Sequence, residues 1–192
     1  VQTCALPISS EHFKFALEAV TQGKDSAIGR CLGSEGIHRV LANMNRALIE
    51  HGFVTTQLGL PPQHHLNEGE LVVSIAPGHV HDIRFAAGST GTIWNALPVS
   101  TGDILNLRNI EQGLENFKRV PSVEAHIEIE AAKEAGNSDL VIHTQRARPI
   151  RGALSVDDSG SRATGKYQGG FTLSYDNPLH LNDLLYVTLN RS

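Results

Sequence analysis

Apolar residues recur along this chain first at helical spacing, then in short runs, and finally in strict alternation. Phe13, Ala16, Leu17 and Val20 form one stripe and predict a helix over residues 12–22, with Gly23 suited to its end. Ile37, Val40, Leu41, Met44 and Leu48 predict a second helix, with Ser34 as its N-cap and Gly52 as a left-handed stop. Residues 53–58, rich in β-branched side chains, read as a strand that Pro61-Pro62 ends. A polar loop around Asn67-Glu68-Gly69 leads to a further strand over residues 71–75, and Pro77-Gly78 closes the unit.

The same order then starts again. Val80, Ile83 and Phe85 mark a strand, and residues 92–97 read as a short helical turn. Asn106 is placed to cap a helix, with Leu105 and Ile110 spaced as a hydrophobic staple. Leu107, Ile110, Leu114 and Phe117 are its apolar stripe, and Pro121 breaks it. Val123, Ala125, Ile127 and Ile129 alternate with Glu124, His126, Glu128 and Glu130, the pattern of a half-buried strand. Gly136-Asn137 turns the chain into a last strand opening at Leu140. Gly52 and Pro121 stand 69 residues apart, as do Leu71 and Leu140, which argues for an internal duplication.

Beyond Pro149 alternation takes over. Gly152, Leu154 and Val156, then Tyr167, Gly169, Phe171, Leu173 and Tyr175, then Leu185, Val187 and Leu189 occupy every second position. Turns rich in Asp, Ser, Gly and Asn separate these segments. Strands of roughly 9–11 residues with aromatic ends fit a transmembrane β-barrel. Alternation alone favours a soluble antiparallel sheet over a barrel.

With 40% apolar and 19% charged residues the chain has the means to bury a core. Its net charge of −4 offers no electrostatic footprint for nucleic acid. No apolar run approaches the ~20 residues of a membrane-spanning helix. The ten histidines include two close sets, His64-His65 and His79-x-His81, neither with a zinc-site spacing. Asp157-Asp158 precedes a Ser-Gly turn and reads as a hairpin tip rather than an acid–base pair. Residues 88–91 lack the spacing and lysine of a phosphate loop. No nucleophile–base pair and no cofactor motif stands out, so catalysis is not expected. Residues 1–9 read as the in-frame translation of a sequencing-library adapter and are expected to be non-native. The alternative is a genuine strand over residues 5–8, with Cys4 bonded to Cys31.

Three stretches together resemble a known family. They are Cys31-Leu32-Gly33 through Gly36-Ile37 to Gly52-Phe53-Val54-Thr55-Thr56; Gly102-Asp103-Ile104-Leu105-Asn106 through Glu115-Asn116 to Arg119-Val120-Pro121-Ser122; and Asp157-Asp158-Ser159-Gly160 with Thr164-Gly165, Asp176-Asn177 and Leu181-Asn182-Asp183. In order and spacing they resemble the haemolysin secretion/activation transporters of two-partner secretion (TpsB). The resemblance covers about residues 10–192. It implies α+β POTRA modules at 10–77 (incomplete) and 78–148, then the first antiparallel strands of an outer-membrane β-barrel at 149–192. Relative to that family, the plug helix, the first strand of the first module, most of the barrel and the loop that folds into the pore are expected to be missing. Cys31 resembles the second member of a family disulfide whose native partner would lie in that missing strand. The implied role is periplasmic capture and outer-membrane translocation of an exoprotein, with that partner's N-terminal domain and lipid as the contacts and no nucleotide cofactor.

Binding is then expected by β-augmentation, in which an extended peptide pairs with the free N–H and C=O groups of a sheet edge. The candidate edge is the second module's middle strand in chain order: Val123, Glu124, Ala125, His126, Ile127, Glu128 and Ile129. Only one parity of a strand turns its N–H groups outward. Proline at Glu124 or Glu128 would block pairing if theirs are the outward ones; His126 shares their parity, and Ala125 and Ile127 have the other. Equally open is an edge that Glu124, Glu128 and Glu130 merely protect. A periplasmic peptide-binding or assembly scaffold is the alternative function, and a histidine-metal hydrolase a third.

Overall fold

A computed structural model describes residues 12–22, 26–29, 32–63, 71–158 and 166–191. The expectations for residues 1–9, Cys4, Gly23, Cys31, His64-His65, the loop at 67–69, Ser159-Gly160 and Thr164-Gly165 fall outside these. By compactness the chain forms two units. One holds the residues up to Asp82 with Thr101–Arg108 and Ala131–Asp139; the other holds Ile83–Ser100, Asn109–Glu130 and the chain from Leu140 onward.

In the first unit, α1 (Lys14–Thr21) and α2 (Ser34–Glu50) pack their apolar stripes together. Phe13, Ala16 and Leu48 are buried, with Phe15, Phe53, Leu58 and Ile75 around them. Val20, Val40, Met44 and Leu71 form a second buried cluster. Ser34 is the first helical residue rather than the cap; Gly33 occupies the cap with no side-chain bond.

Residues 53–56 are turn, not strand. Gly52, at φ 89°, lets the Phe53 N–H bond Leu48 O at 2.9 Å and the Gly52 N–H bond Ile49 O at 2.9 Å. This double closure of the helix end uses the backbone groups that a strand would need. Phe53 then packs edge-on against Phe13, with ring centroids 5.0 Å apart. The strands that remain are short: β1 (Gln57–Gly59) pairs antiparallel with β2 (Ser74–Ala76), so residues 71–73 also precede their strand.

The duplicated module is built on longer strands: β3 (His79–Phe85), β4 (Val123–Ala131) and β5 (Asn137–Arg146). Their order is β3-β5-β4. The helix α3 (Leu107–Lys118) starts where expected, because Asn106 Oδ1 accepts the Arg108 N–H at 2.9 Å. Its buried face is Ile110, Gly113 and Phe117. Leu107 and Leu114 are only half-buried. Gly113 takes over because a Cβ there would stand 2.3 Å from Leu97 Cδ1, so the Leu97 side chain occupies the place of a side chain. Phe117, Ala96 and Ile142 are buried together, with Ile83, Phe85, Ala125 and Ile127 packed on them.

The last sheet comprises β6 (Ile150–Asp157), β7 (Gln168–Asp176) and β8 (Leu184–Arg191), antiparallel in that order. At 8, 9 and 8 residues, two of them fall just below the expected length. Register sorts the side chains by chemistry. Ile150, Tyr175 and Leu185 are in line, as are Gly152, Leu173 and Val187, and Leu154, Phe171 and Leu189. The opposite face carries Arg151, Ser174 and Tyr186 in line, then Ala153, Thr172 and Thr188, then Ser155, Gly170 and Asn190, while the first face ends in the row Val156, Gly169 and Arg191. Thr172 and Thr188 bond across at 3.0 Å. Strands of eight residues are about 27 Å long at ~3.4 Å per residue. A tilt of about 40° brings that near 20 Å, comparable with the ~25 Å apolar band of a membrane barrel.

Candidate functional site

β4 stands at the edge of its sheet, and no strand of the described residues lies along its outer side. Two backbone bonds fix its register on β5. The Ala147 N–H bonds Ser122 O at 2.8 Å at one end, and the Ala132 N–H bonds Asn137 O at 3.0 Å at the other. Both imply one register without a bulge, and it sets His126 opposite His143, whose rings are 6.0 Å apart. Ser122 and Ala132 therefore share a parity that turns backbone groups toward β5, and Glu124, His126, Glu128 and Glu130 share it too. The outward N–H and C=O groups belong to Val123, Ala125, Ile127, Ile129 and Ala131. The proline sites that delete an outward N–H are thus Ala125, Ile127 and Ile129, while proline at Glu124, His126 or Glu128 breaks the ladder to β5.

The side chains follow the alternation expected of them. Val123 is buried, and Ala125, Ile127 and Ile129 are half-buried. Glu124, His126, Glu128 and Glu130 are exposed. Glu130 pairs with Arg84 at 2.7 Å. Glu128 Oε2 lies 3.4 Å from His143 Nε2, an ion pair only when that imidazole is protonated. Pairs this exposed contribute about 0–1 kcal/mol each, so they decorate the sheet rather than hold it. His81 Nδ1 lies 2.9 Å from Asp139 Oδ1, which gives one histidine of the His79-x-His81 set a carboxylate partner.

The start of β4 is tied to the last sheet. The Asp176 carboxylate is fully buried; it accepts the Ser122 N–H at 2.9 Å and Arg151 at 2.7 Å. A buried carboxylate needs such partners. The turn between β7 and β8 is ordered around two side chains. Asp183 accepts the Leu179 and Leu181 N–H groups, and Asn177 Oδ1 accepts the Asn182 N–H at 2.9 Å. Asn177, His180 and Asn182 adopt φ values of 58°, 60° and 55°, a region Asn enters more readily than most residues. The turn is bonded to residues 92–95: Thr92 Oγ1 to His180 O, Asn95 Nδ2 to Leu181 O, and Asn182 Nδ2 to Thr92 O at 3.2 Å and Asn95 Oδ1 at 3.0 Å. The density of Asn and Asp after an alternating strand marks this segment as a turn, and the bonds of Asp183 and Asn177 show which backbone groups hold it.

Comparison with known proteins matches the whole arrangement. Residues 11–78 fit the ShlB-type POTRA domain, residues 79–131 a POTRA domain, and residues 136–192 the haemolysin secretion/activation protein ShlB/FhaC/HecB. The outer membrane transporter CdiB-2 of Burkholderia pseudomallei is 40% identical over 164 residues, which are 85% of this chain and 28% of that protein. The hemolysin transporter protein ShlB of Serratia marcescens is 26% identical over 163 residues, 84% of this chain and 28% of its own length. The chain thus spans under a third of the curated relatives it matches. The solved structure of CdiB from Acinetobacter baumannii superposes with a TM-score of 0.82 at 33% identity, over 99% of this chain and 36% of that one. Successive POTRA matches, a match to the secretion/activation family over β5 to β8, and this superposition agree in order along the chain: it belongs to the haemolysin secretion/activation (TpsB) family and comprises POTRA domains and the start of a β-barrel.

Proposed function

We propose that this chain is the periplasmic and first-barrel part of an outer-membrane transporter that exports a large exoprotein, and that β4 captures an extended segment of that partner by backbone pairing. The role is transport and not catalysis, with residues 10–77, 78–148 and 149–192 as its working parts. The outer membrane is the proposed location, with the first two parts in the periplasm. An exported haemolysin, adhesin or contact-dependent inhibition toxin would suit the relatives named above.

One observation carries the reading of β4: its outward backbone groups form an uninterrupted row on residues 123–131, with no strand of the described residues beside them. Backbone pairing takes up unfolded substrate with little demand on sequence, and the flanking side chains add selectivity. The glutamates suit both the capture and the protection readings, because exposed charge also keeps an edge from pairing with copies of itself.

Ala125→Pro and Ile129→Pro in the intact transporter test this. Each deletes an outward N–H and leaves the β5 ladder its donors. The expected result is folded protein in the membrane with exoprotein export strongly reduced. Export at the wild-type level from both folded variants would overturn capture at β4.

A further inference from the structure

We infer that His126, His143 and Glu128 form a site for a borderline divalent cation of the Zn²⁺ class, a clamp between β4 and β5 on the sheet face away from Phe117. The inference does not depend on peptide capture by β4. The register fixed by Ser122 and Ala132 sets His126 directly opposite His143, with their rings 6.0 Å apart. Glu128 stands one step along the same face of β4, opposite Val141, and its Oε2 lies 3.4 Å from His143 Nε2. That Nε2 is shielded from solvent and makes no hydrogen bond to the described residues. A shielded ring nitrogen without a partner is unfavourable. His81 differs, because its Nδ1 has Asp139 Oδ1 at 2.9 Å.

The spacings suit a metal ion. Two donors about 2.0–2.1 Å from a tetrahedral ion stand roughly 3.3–3.4 Å apart. The separation of His143 Nε2 and Glu128 Oε2 is already that of two ligands sharing one ion. Two imidazoles on one such ion bring their ring centres to about 5 Å, so His126 has to close by about an ångström, a change within reach of side-chain torsions on an exposed face. No three such donors are already gathered among the described residues, so the ion completes the set rather than entering a finished cage. Two imidazoles and a carboxylate select Zn²⁺, Cu²⁺ or Ni²⁺ over Mg²⁺ and Ca²⁺, which take oxygen ligands. Glu124 on the same exposed face adds negative charge beside the site. The two histidines come from neighbouring strands and stand 17 residues apart in the chain, so no short histidine spacing announces them. An ion held there ties β4 to β5 through side chains and leaves the outward amides of Ala125 and Ile127 free.

The test is Zn²⁺ binding to the intact transporter, purified without a histidine tag and stripped of metal. Calorimetry compares wild type with His126→Gln, His143→Gln and Glu128→Gln, all changes on the exposed side of the sheet. Removing a group that merely supports a metal ligand costs about 10–100-fold in affinity, and removing either histidine should cost no less. Zn²⁺ should also slow amide exchange at His126 and Glu128 in wild type and not in the histidine variants, while Ala125 and Ile127 exchange as fast as before. Peptide capture would protect the latter pair instead, so failure of one reading is distinct from failure of the other. Equal Zn²⁺ affinity in wild type and both histidine variants overturns the site. Displacement of the Zn²⁺ by Ca²⁺ or Mg²⁺ at equal concentration overturns it as well, because an unspecific acidic face would then account for the binding.

Discussion

The sheets β3-β5-β4 and β6-β7-β8 follow the same alternation and meet opposite surroundings. In the first, the apolar residues of β4 turn inward onto Phe117 and Ile142, and the exposed face carries Glu124, His126, Glu128 and Glu130. In the second, the apolar residues are exposed: Leu154 by 83%, Val156 by 80%, Leu189 by 65%. No helix of the described chain separates β6, β7 and β8, whereas α3 stands between β3 and β4 and covers their sheet. Period-two patterning states which residues share a face, and the covering element states what that face touches. A sheet with one face apolar except for Arg191 in its end row, and an opposite face polar except for Tyr186 and Leu184, suits lipid on one side and an aqueous lumen on the other.

The largest way to break the contrast is to remove the cover. Phe117→Ala should destabilise the second module by about 3–5 kcal/mol, because Phe117 is buried under both β3 and β4 side chains. Hydrogen exchange at residues 140–142 should accelerate accordingly; unchanged exchange would show that α3 does not hold the sheet. The next largest effect belongs to the other sheet. Leu173→Arg should cost roughly 2–4 kcal/mol of insertion stability if it meets the bilayer midplane, and Thr172→Arg much less. Folding yield into phospholipid vesicles reads both, and equal yields would remove the lipid assignment of the apolar face. Asn106→Ala should cost about 1 kcal/mol by loss of the α3 cap, with Asn106→Ser largely restoring it. Amide exchange at Arg108 checks that pair.

The first module offers a smaller contrast with the second. Its two strands among the described residues are three residues each, against nine and ten in β4 and β5. Fewer ladder bonds predict faster exchange at residues 74–76 than at 140–142 under the same conditions. Equal protection would show that the short strands receive support from elsewhere.

Much of this was legible in the sequence because it rests on periodicity. The α2 stripe, the Gly52 stop, the Asn106 cap, the β4 alternation and the three final strands all follow from spacing and one or two punctuating residues. What was not legible depends on bonds between distant parts. One miss is local: Phe53 carries strand propensity, yet the left-handed stop read at Gly52 commits the Phe53 N–H to Leu48 O. Gly113 reads as a weak point in a helix until Leu97 is seen to fill its place. The parity of β4 needed the Ser122 and Ala132 bonds, because alternation tells which side chains face inward and says nothing about which amides face outward. Edge capture by residues 123–129 itself stays a proposal resting on that geometry.

The amides of β4 test it most directly. Hydrogen exchange is measured residue by residue on the intact transporter, with and without an unfolded N-terminal segment of its exoprotein. The Ala125, Ile127 and Ile129 amides face outward and should gain strong protection when the segment binds. The His126 and Glu128 amides, already bonded to β5, should change little. Binding that leaves the three outward amides as fast as before would contradict capture by backbone pairing on this strand.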